Sequence, residues 1–134
     1  MKDLILKLEN ISVGYHSKEI ISEINASVFT NELVAVLGKN GAGKSTLINS
    51  ILGFQNVIKG EIFIENKSLN KISSQEIAQQ IAVVLPRLSI VPKIKVEELV
   101  AMGRLPYHKV LKSISNVEKL MIDEVLHLVG ITDL

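Results

Sequence analysis

The chain has 134 residues, of which 47% are hydrophobic and 22% are charged, and its formal net charge at pH 7 is +1. This length and composition predict one ordinary globular domain with room for a core, and they exclude a disordered chain. The near-neutral charge argues against a nucleic-acid partner, and the absence of cysteine from the sequence excludes disulfides and thiolate chemistry.

Short apolar runs predict several strands before the first helix. Alternating apolar residues predict strands at Leu4–Leu8, Ile11–Val13 and Ile24–Phe29. The continuous apolar run Leu33–Leu37 is predicted to be a buried strand, and a helix is predicted from Lys44 to about Leu52. A glycine-rich segment lies between this last strand and this helix.

The rest of the chain changes from strands to helices. The elements predicted first are a turn near Gly60, a strand at Glu61–Glu65, a helix at Ser73–Gln80 capped by Ser73 or Ser74, and a buried strand at Ile81–Leu85. Strand character ends at Pro86. Beyond it, the apolar spacing predicts helices at Val96–Met102 and Val117–Val129.

The glycine-rich segment fits the pattern G-x-x-x-x-G-K-[ST]. It consists of Gly38, Lys39, Asn40, Gly41, Ala42, Gly43, Lys44, Ser45 and Thr46. Its glycines permit backbone angles that turn successive N–H groups toward the phosphates of a nucleotide. Lys44 is predicted to bind phosphate oxygens as a point charge, and the Ser45 hydroxyl to ligate Mg²⁺. The alternative is an ordinary glycine-rich turn, but the bare pattern arises by chance in well under roughly one chain in a hundred of this length.

Four stretches of the sequence resemble the ATP-binding subunits of ABC transporters. They are Val13-Gly14-Tyr15, the run Leu37–Leu47, Gly60-Glu61-Ile62 and the run Val96–Pro106. The last stretch is similar to the ATPases that drive import of iron-siderophores, haem and cobalamin. The resemblance implies an α/β fold with a P-loop NTPase (RecA-like) core, an N-terminal antiparallel β subdomain and the start of a helical subdomain, incomplete in this chain. Residues 1–86 would form the nucleotide-binding β and P-loop core, and residues 87–134 would begin the helical subdomain.

The same resemblance implies ligands, partners and a location. ATP and Mg²⁺ are the implied cofactors, and Tyr15 is expected to stack on adenine, although spacing alone favours a tyrosine that anchors a turn. The implied partners are a second ATP-binding subunit, which forms a dimer, and a transmembrane permease. The chain would then be cytoplasmic and peripheral on the inner face of the cell membrane. Its basic stretch Arg87–Lys112 would abut the permease or else be a solvated face.

The sequence also departs from the family pattern. Pro86 stands where the family has a glutamine that reaches Mg²⁺ and the attacking water, and a proline ring offers neither a side-chain oxygen nor an amide. Asn31 replaces a turn glycine, a mild change because asparagine adopts left-handed backbone angles. The Leu-Ser-Gly-Gly-Gln signature, the aspartate-ended strand with its catalytic glutamate, and the switch histidine do not occur in this sequence. No catalytic residue is therefore assigned, and rapid hydrolysis by this chain alone is not expected.

Functional hypotheses from different classes follow from these residues. The first is that the chain is the N-terminal part of an ABC importer ATPase, which hydrolyses Mg-ATP when complete and dimerised on its permease. The second is a naturally short nucleotide-binding or docking module without turnover. A small P-loop kinase is disfavoured because strands precede the loop and no arginine-rich lid follows it. The histidines show no metal-ligand spacing, so a zinc site has no support.

Overall fold

The computed structural model describes residues 2–85, 93–108 and 114–131. The chain divides into two compact units, Met1–Ile77 and Ala78–Leu134, which are described separately. The subdomain boundary predicted at Pro86 lies outside the described residues. In the part of the chain that is described, no helix is both long and apolar enough to cross a bilayer.

A long β-hairpin forms the base of the first unit. Its strands are β1 (Leu4–Tyr15) and β2 (Lys18–Phe29), which pair antiparallel. The two residues between them, His16 and Ser17, have φ of 47° and 63°. Positive φ at both turn positions gives the turn whose twist matches that of paired strands. The strands predicted at Leu4–Leu8 and Ile11–Val13 are therefore parts of one strand, and the predicted Ile24–Phe29 strand is the second half of β2.

Two more strands complete an antiparallel sheet with the order β2-β1-β3-β4. They are β3 (Lys59–Ile64) and β4 (Lys67–Ser68). The turn predicted near Gly60 is wrong, because Gly60 lies inside β3 opposite a bulge in β1. There a Cβ would collide with the carbonyl oxygens of Glu9 and Asn10, and φ at Gly60 is 80°. Only glycine fits this close approach of two backbones.

The helix α1 (Lys44–Ile51) follows the glycine-rich loop, close to its predicted bounds. It contributes Leu47 to the core of the first unit. The buried members of that core are Leu8, Ile11, Val13, Leu47 and Ile62. Burying each such side chain contributes about 1.5–3 kcal/mol relative to leaving it in water. The core therefore lies between the sheet and the helix that begins at the loop.

Two predicted strands are absent from the described residues. The segments Leu33–Leu37 and Ile81–Leu85 have no strand pairing, and the prediction of two buried strands is wrong. Leu33 is fully exposed, and Val84 is 98% exposed. A strand exists through hydrogen bonds to a neighbour, and neither segment has one in the described sheet. An apolar run of this length indicates a segment that favours burial, but it does not show whether a neighbouring strand is present to pair with it.

The remaining helices agree with their predicted positions. They are α2 (Ser74–Gln80), α3 (Val96–Ala101) and α4 (Asn116–Leu128), and a 3₁₀ helix occupies Met102–Tyr107. Ser73 caps α2 as predicted, since its hydroxyl accepts from the Glu76 N–H while the Glu76 carboxylate accepts from the Ser73 N–H. Hydrogen bonds inside the second unit also join α2 to the 3₁₀ helix, where the Gln79 amide donates to the carbonyl of Pro106 at 2.6 Å.

A second capping box begins α4, and its carboxylate, Glu118, also contacts two basic side chains of the second unit. The Glu118 carboxylate accepts from the Ser115 N–H at 3.0 Å and from its hydroxyl at 2.8 Å. On the other side, His108 Nε2 lies 2.6 Å from Glu118 Oε1, and Arg104 Nε lies 3.6 Å from the same oxygen. These contacts lower the pKa of Glu118 to about 2, chiefly through the Ser115 N–H and hydroxyl and then through His108.

Candidate functional site

The loop ahead of α1 adopts the backbone that its glycines permit. Gly41 and Gly43 have φ of 81° and 91°, in the left-handed region. The N–H of Ala42 donates to the carbonyl of Lys39 at 3.2 Å, which closes a turn at the tip of the loop. Most of the loop is exposed. The loop is thus a curved, accessible segment of backbone, the form that presents N–H groups to an anion.

The N-terminus of α1 is open to a ligand. Gly43 is its N-cap, no side chain caps it, and its first turn contains no acidic residue. The first N–H groups of a helix have no partner inside the helix, and the helix dipole places partial positive charge beside them. A negatively charged group is the natural partner for such an end. The helix predicted from Lys44 to about Leu52 begins at this residue in the structure.

The Lys44 side chain folds back over the loop. Its Nζ donates to the carbonyls of Gly38 at 2.7 Å and of Lys39 at 2.8 Å. An ammonium has three donors, so one remains for a phosphate oxygen while the other two hold the side chain in place. The loop carbonyls therefore position the positive charge where an anion bound to the nearby N–H groups would meet it.

The two hydroxyl residues after Lys44 have different surroundings. Thr46 is buried, whereas Ser45 is exposed at the start of α1. An exposed hydroxyl oxygen suits Mg²⁺, which takes oxygen ligands, keeps several waters and shares substrate phosphates. The exposure of Ser45 fits its predicted role as a metal ligand, while Thr46 is packed with the core face of the helix. Lys39 and Asn40 lie exposed at the tip of the loop.

Tyr15 lies at the tip of the β1–β2 hairpin. It pairs with Lys18 and is 52% exposed. The tip is held by Gln55, whose side-chain amide donates to the carbonyl of Gly14. In the described residues, no hydrogen bond, ion pair or ring contact joins Tyr15 to the loop. Its ring is accessible for stacking, and the proposed contact with adenine stays a prediction.

Sequence reasoning missed a contact between β2 and the loop. A Cβ at Gly43 would lie 2.7 Å from Ile21 Cγ1 and 2.8 Å from Ile20 Cγ2. Both isoleucines therefore pack directly against the glycine that begins α1. The signal in the sequence is two adjacent isoleucines, which break the alternation of a half-buried strand. Pro86, the substitution at the family's glutamine position, lies outside the described residues.

Comparisons with known proteins show a family match and named relatives for this sequence. Residues 21–134 match the protein family described as ABC transporter. A protein named "Hemin import ATP-binding protein" from Pseudomonas fluorescens is 35% identical over 104 residues, covering 77% of this chain and 40% of that protein. A "Probable siderophore transport system ATP-binding protein" from Bacillus subtilis is 30% identical over 130 residues, covering 96% and 47%. The chain thus spans less than half the length of these relatives.

Solved structures of ABC transporter proteins have a fold similar to that of this chain. An ATP-binding subunit of an ABC transporter superimposes with a TM-score of 0.70 at 26% identity, covering 80% of this chain and 44% of that one. A bacterial Atm1-family ABC exporter with ATP bound superimposes with a TM-score of 0.74 at 22% identity, covering 99% and 22%. These matches confirm the predicted fold class, an α/β P-loop NTPase with an N-terminal antiparallel β subdomain.

Proposed function

The chain belongs to the ABC transporter family, and we propose that its phosphate loop binds Mg-ATP for an importer. The observation that carries this proposal is the start of α1. An uncapped helix end without acidic residues, a left-handed glycine at its N-cap and a lysine held by loop carbonyls all favour a bound anion. A triphosphate is the anion that such a loop fits by its length and curvature.

Each residue of the loop has a role in the proposed binding of Mg-ATP. The N–H groups from Gly41 to Thr46 surround the phosphates, and Lys44 neutralises their charge. Ser45 would ligate Mg²⁺, which would supply positive charge to offset that of the phosphates. Tyr15 stacks on adenine and discriminates a base-containing ligand from free polyphosphate. The remaining positions, Gly38, Lys39 and Asn40, form with Ala42 the turn that holds these groups in place.

The function of the whole protein is proposed from its named relatives. Two of them are described as siderophore and hemin import proteins, and this chain covers 47% and 40% of their lengths. We propose that the complete protein forms a dimer of ATP-binding subunits on a transmembrane permease and couples ATP hydrolysis to uptake of an iron-siderophore, haem or a similar chelate. It would act as a cytoplasmic, peripheral subunit of the membrane complex.

Calorimetry with Mg-ATP tests the proposed binding. Lys44→Ala removes the side-chain charge that the loop carbonyls hold in place, so we expect the dissociation constant to rise by at least about tenfold. Lys71→Ala is the control, because Lys71 is an exposed lysine of the same unit, at the end of the short 3₁₀ helix Leu69–Lys71. Equal affinity in the wild type, Lys44→Ala and Lys71→Ala would contradict the proposal.

A further inference from the structure

We propose that Ile21, together with Ile20, is a positioning residue for the phosphate loop. This inference rests on the proposed function, namely that the loop binds nucleotide phosphates. It assigns a part in that binding to side chains of β2, which lie well before the loop in the sequence and carry no charge or polar group. The ligand class is a polyphosphate, and the isoleucines act on it through Gly43.

The contact is tight enough to fix the position of the glycine. A Cβ at Gly43 would lie 2.7 and 2.8 Å from the Cγ1 and Cδ1 atoms of Ile21, and 2.8 Å from Cγ2 of Ile20. These separations are shorter than van der Waals contact, so the glycine backbone lies directly against both side chains. Gly43 is also the N-cap of α1. A displacement of Gly43 would therefore turn the first N–H groups of the helix.

Ile21 is itself anchored. Ile21 pairs with Val13 of β1, which is fully buried, and it packs against the core of the first unit. Leu47, one turn into α1, belongs to that same core. The helix start is thus held from two directions, by Leu47 from within the helix and by Ile21 from the hairpin. Interiors are close-packed, so a gap on one side lets the backbone shift.

The hairpin also carries Tyr15 at its tip. Tyr15 and Ile21 belong to the paired strands β1 and β2, and the turn between them holds only His16 and Ser17. The tip half of this paired element therefore bears both the ring proposed for adenine and the side chains that support the loop. Under this inference, the hairpin sets the spacing between the base and phosphate ends of the site.

Pyrophosphate binding separates positioning from general stability. Calorimetry on the full chain would compare the wild type with Ile21→Ala, Ile21→Val and Ile24→Ala. Ile24 is the matched control, since it lies on the same strand, is half-buried and packs against the same core. We expect Ile21→Ala to raise the pyrophosphate dissociation constant by about tenfold, because a displaced Gly43 turns the first N–H groups of α1 away from the anion. Ile21→Val keeps Cγ1 and should recover most of the affinity.

A double-mutant cycle tests the contact itself. Gly43→Ala should weaken pyrophosphate binding through both the collision with Ile21 and the unfavourable φ of 91°. In the Ile21→Ala background the collision with Ile21 is relieved, while the contact with Ile20 Cγ2 and the φ effect remain. We therefore expect the loss caused by Gly43→Ala to be smaller in that background.

The outcomes distinguish this inference from the proposed function. A wild-type chain that binds neither pyrophosphate nor Mg-ATP would overturn both. If the wild type binds, but Ile21→Ala and Ile24→Ala raise the dissociation constant equally and the cycle is additive, the proposed function stands and the positioning role is wrong. A selective effect of Ile21→Ala with a non-additive cycle supports the positioning role.

Discussion

Single residues with left-handed backbone angles decide where this chain turns. Asn31 has φ of 60°, as expected for an asparagine that replaces a turn glycine. Glu65 and Asn66, between β3 and β4, have φ of 47° and 65° and form a second two-residue turn. Asparagine accepts this conformation more readily than most residues, so such turns can be predicted from sequence. His16 and Ser17 give a weaker signal, and the sequence indicates their turn only through the spacing around the adjacent Tyr15.

The first prediction about a single residue concerns the stacking of Tyr15 on adenine. Tyr15→Ala should weaken ATP binding while it leaves pyrophosphate binding nearly unchanged, because stacking acts on adenine alone. By analogy with bases stacked on aromatic side chains, the loss should be about 1–3 kcal/mol. Calorimetry with both ligands on both variants measures it. Equal losses for ATP and pyrophosphate would mean that Tyr15 supports the fold of the hairpin and does not touch the base.

The second residue-scale prediction concerns Glu118 and pH. Its pKa is lowered from 4.5 to about 2, so its ionised form stabilises the folded state. This stabilisation is fully present above pH 4.5 and is lost as the pH falls toward 2, because the unfolded chain binds the proton first. Urea unfolding at pH 5 and pH 2.5 should therefore show a larger acid loss in the wild type than in Glu118→Gln. Glu124→Gln, an exposed change on the same helix, should follow the wild type.

At the scale of elements, helices were predicted better than strands. The start of α4 follows from Ser115 and Glu118, which are neighbours in sequence and cap each other locally. The loop and α1 follow from the pattern around Lys44 for the same reason, since their geometry is local. The segments Leu33–Leu37 and Ile81–Leu85 were predicted as buried strands, and burial depends on partners that no local pattern contains. The packing of Ile21 against Gly43 is likewise a contact between distant parts of the sequence, so no local pattern predicts it.

The prediction at this scale concerns the junction of β1 and β3. Gly60→Ala should destabilise the first unit by about 2–4 kcal/mol, since the new Cβ meets the carbonyl oxygens of Glu9 and Asn10 at a left-handed φ. Gly103→Ala is the control, because nothing lies within 4 Å of its added Cβ, and it should change stability by less than about 0.5 kcal/mol. Chemical denaturation of the three proteins provides the comparison. Equal denaturation midpoints for Gly60→Ala and Gly103→Ala would show that the bulge in β1 shifts to accommodate the new Cβ, and would contradict the prediction.

At the scale of the whole molecule, the exposed apolar residues are the main departure from an ordinary soluble domain. In the two segments that lack strand pairing, Leu33, Val34, Leu37, Val84 and Leu85 are all more than half exposed, and exposed apolar residues also lie along α4 at Val117, Leu120 and Leu128. Scattered apolar residues are normal at a surface, but contiguous runs with free backbone groups favour pairing with another chain. In the described residues these runs have no covering element.

The last prediction is that the isolated chain associates with itself through these two segments. A free N–H and C=O row with apolar side chains can pair with the same row of a second copy, which buries both. Leu33→Lys combined with Val84→Lys places charge in each segment and should shift the chain toward monomer. Leu128→Lys is the control, since Leu128 is 77% exposed but lies on α4, whose backbone is already hydrogen-bonded within the helix. Sedimentation across a range of concentrations measures the effect. We expect the wild type and Leu128→Lys to gain mass with concentration while the double variant stays smaller. A wild-type chain that remains monomeric and melts cooperatively at a concentration-independent temperature would contradict this, because it would show that the two segments are covered within a single copy.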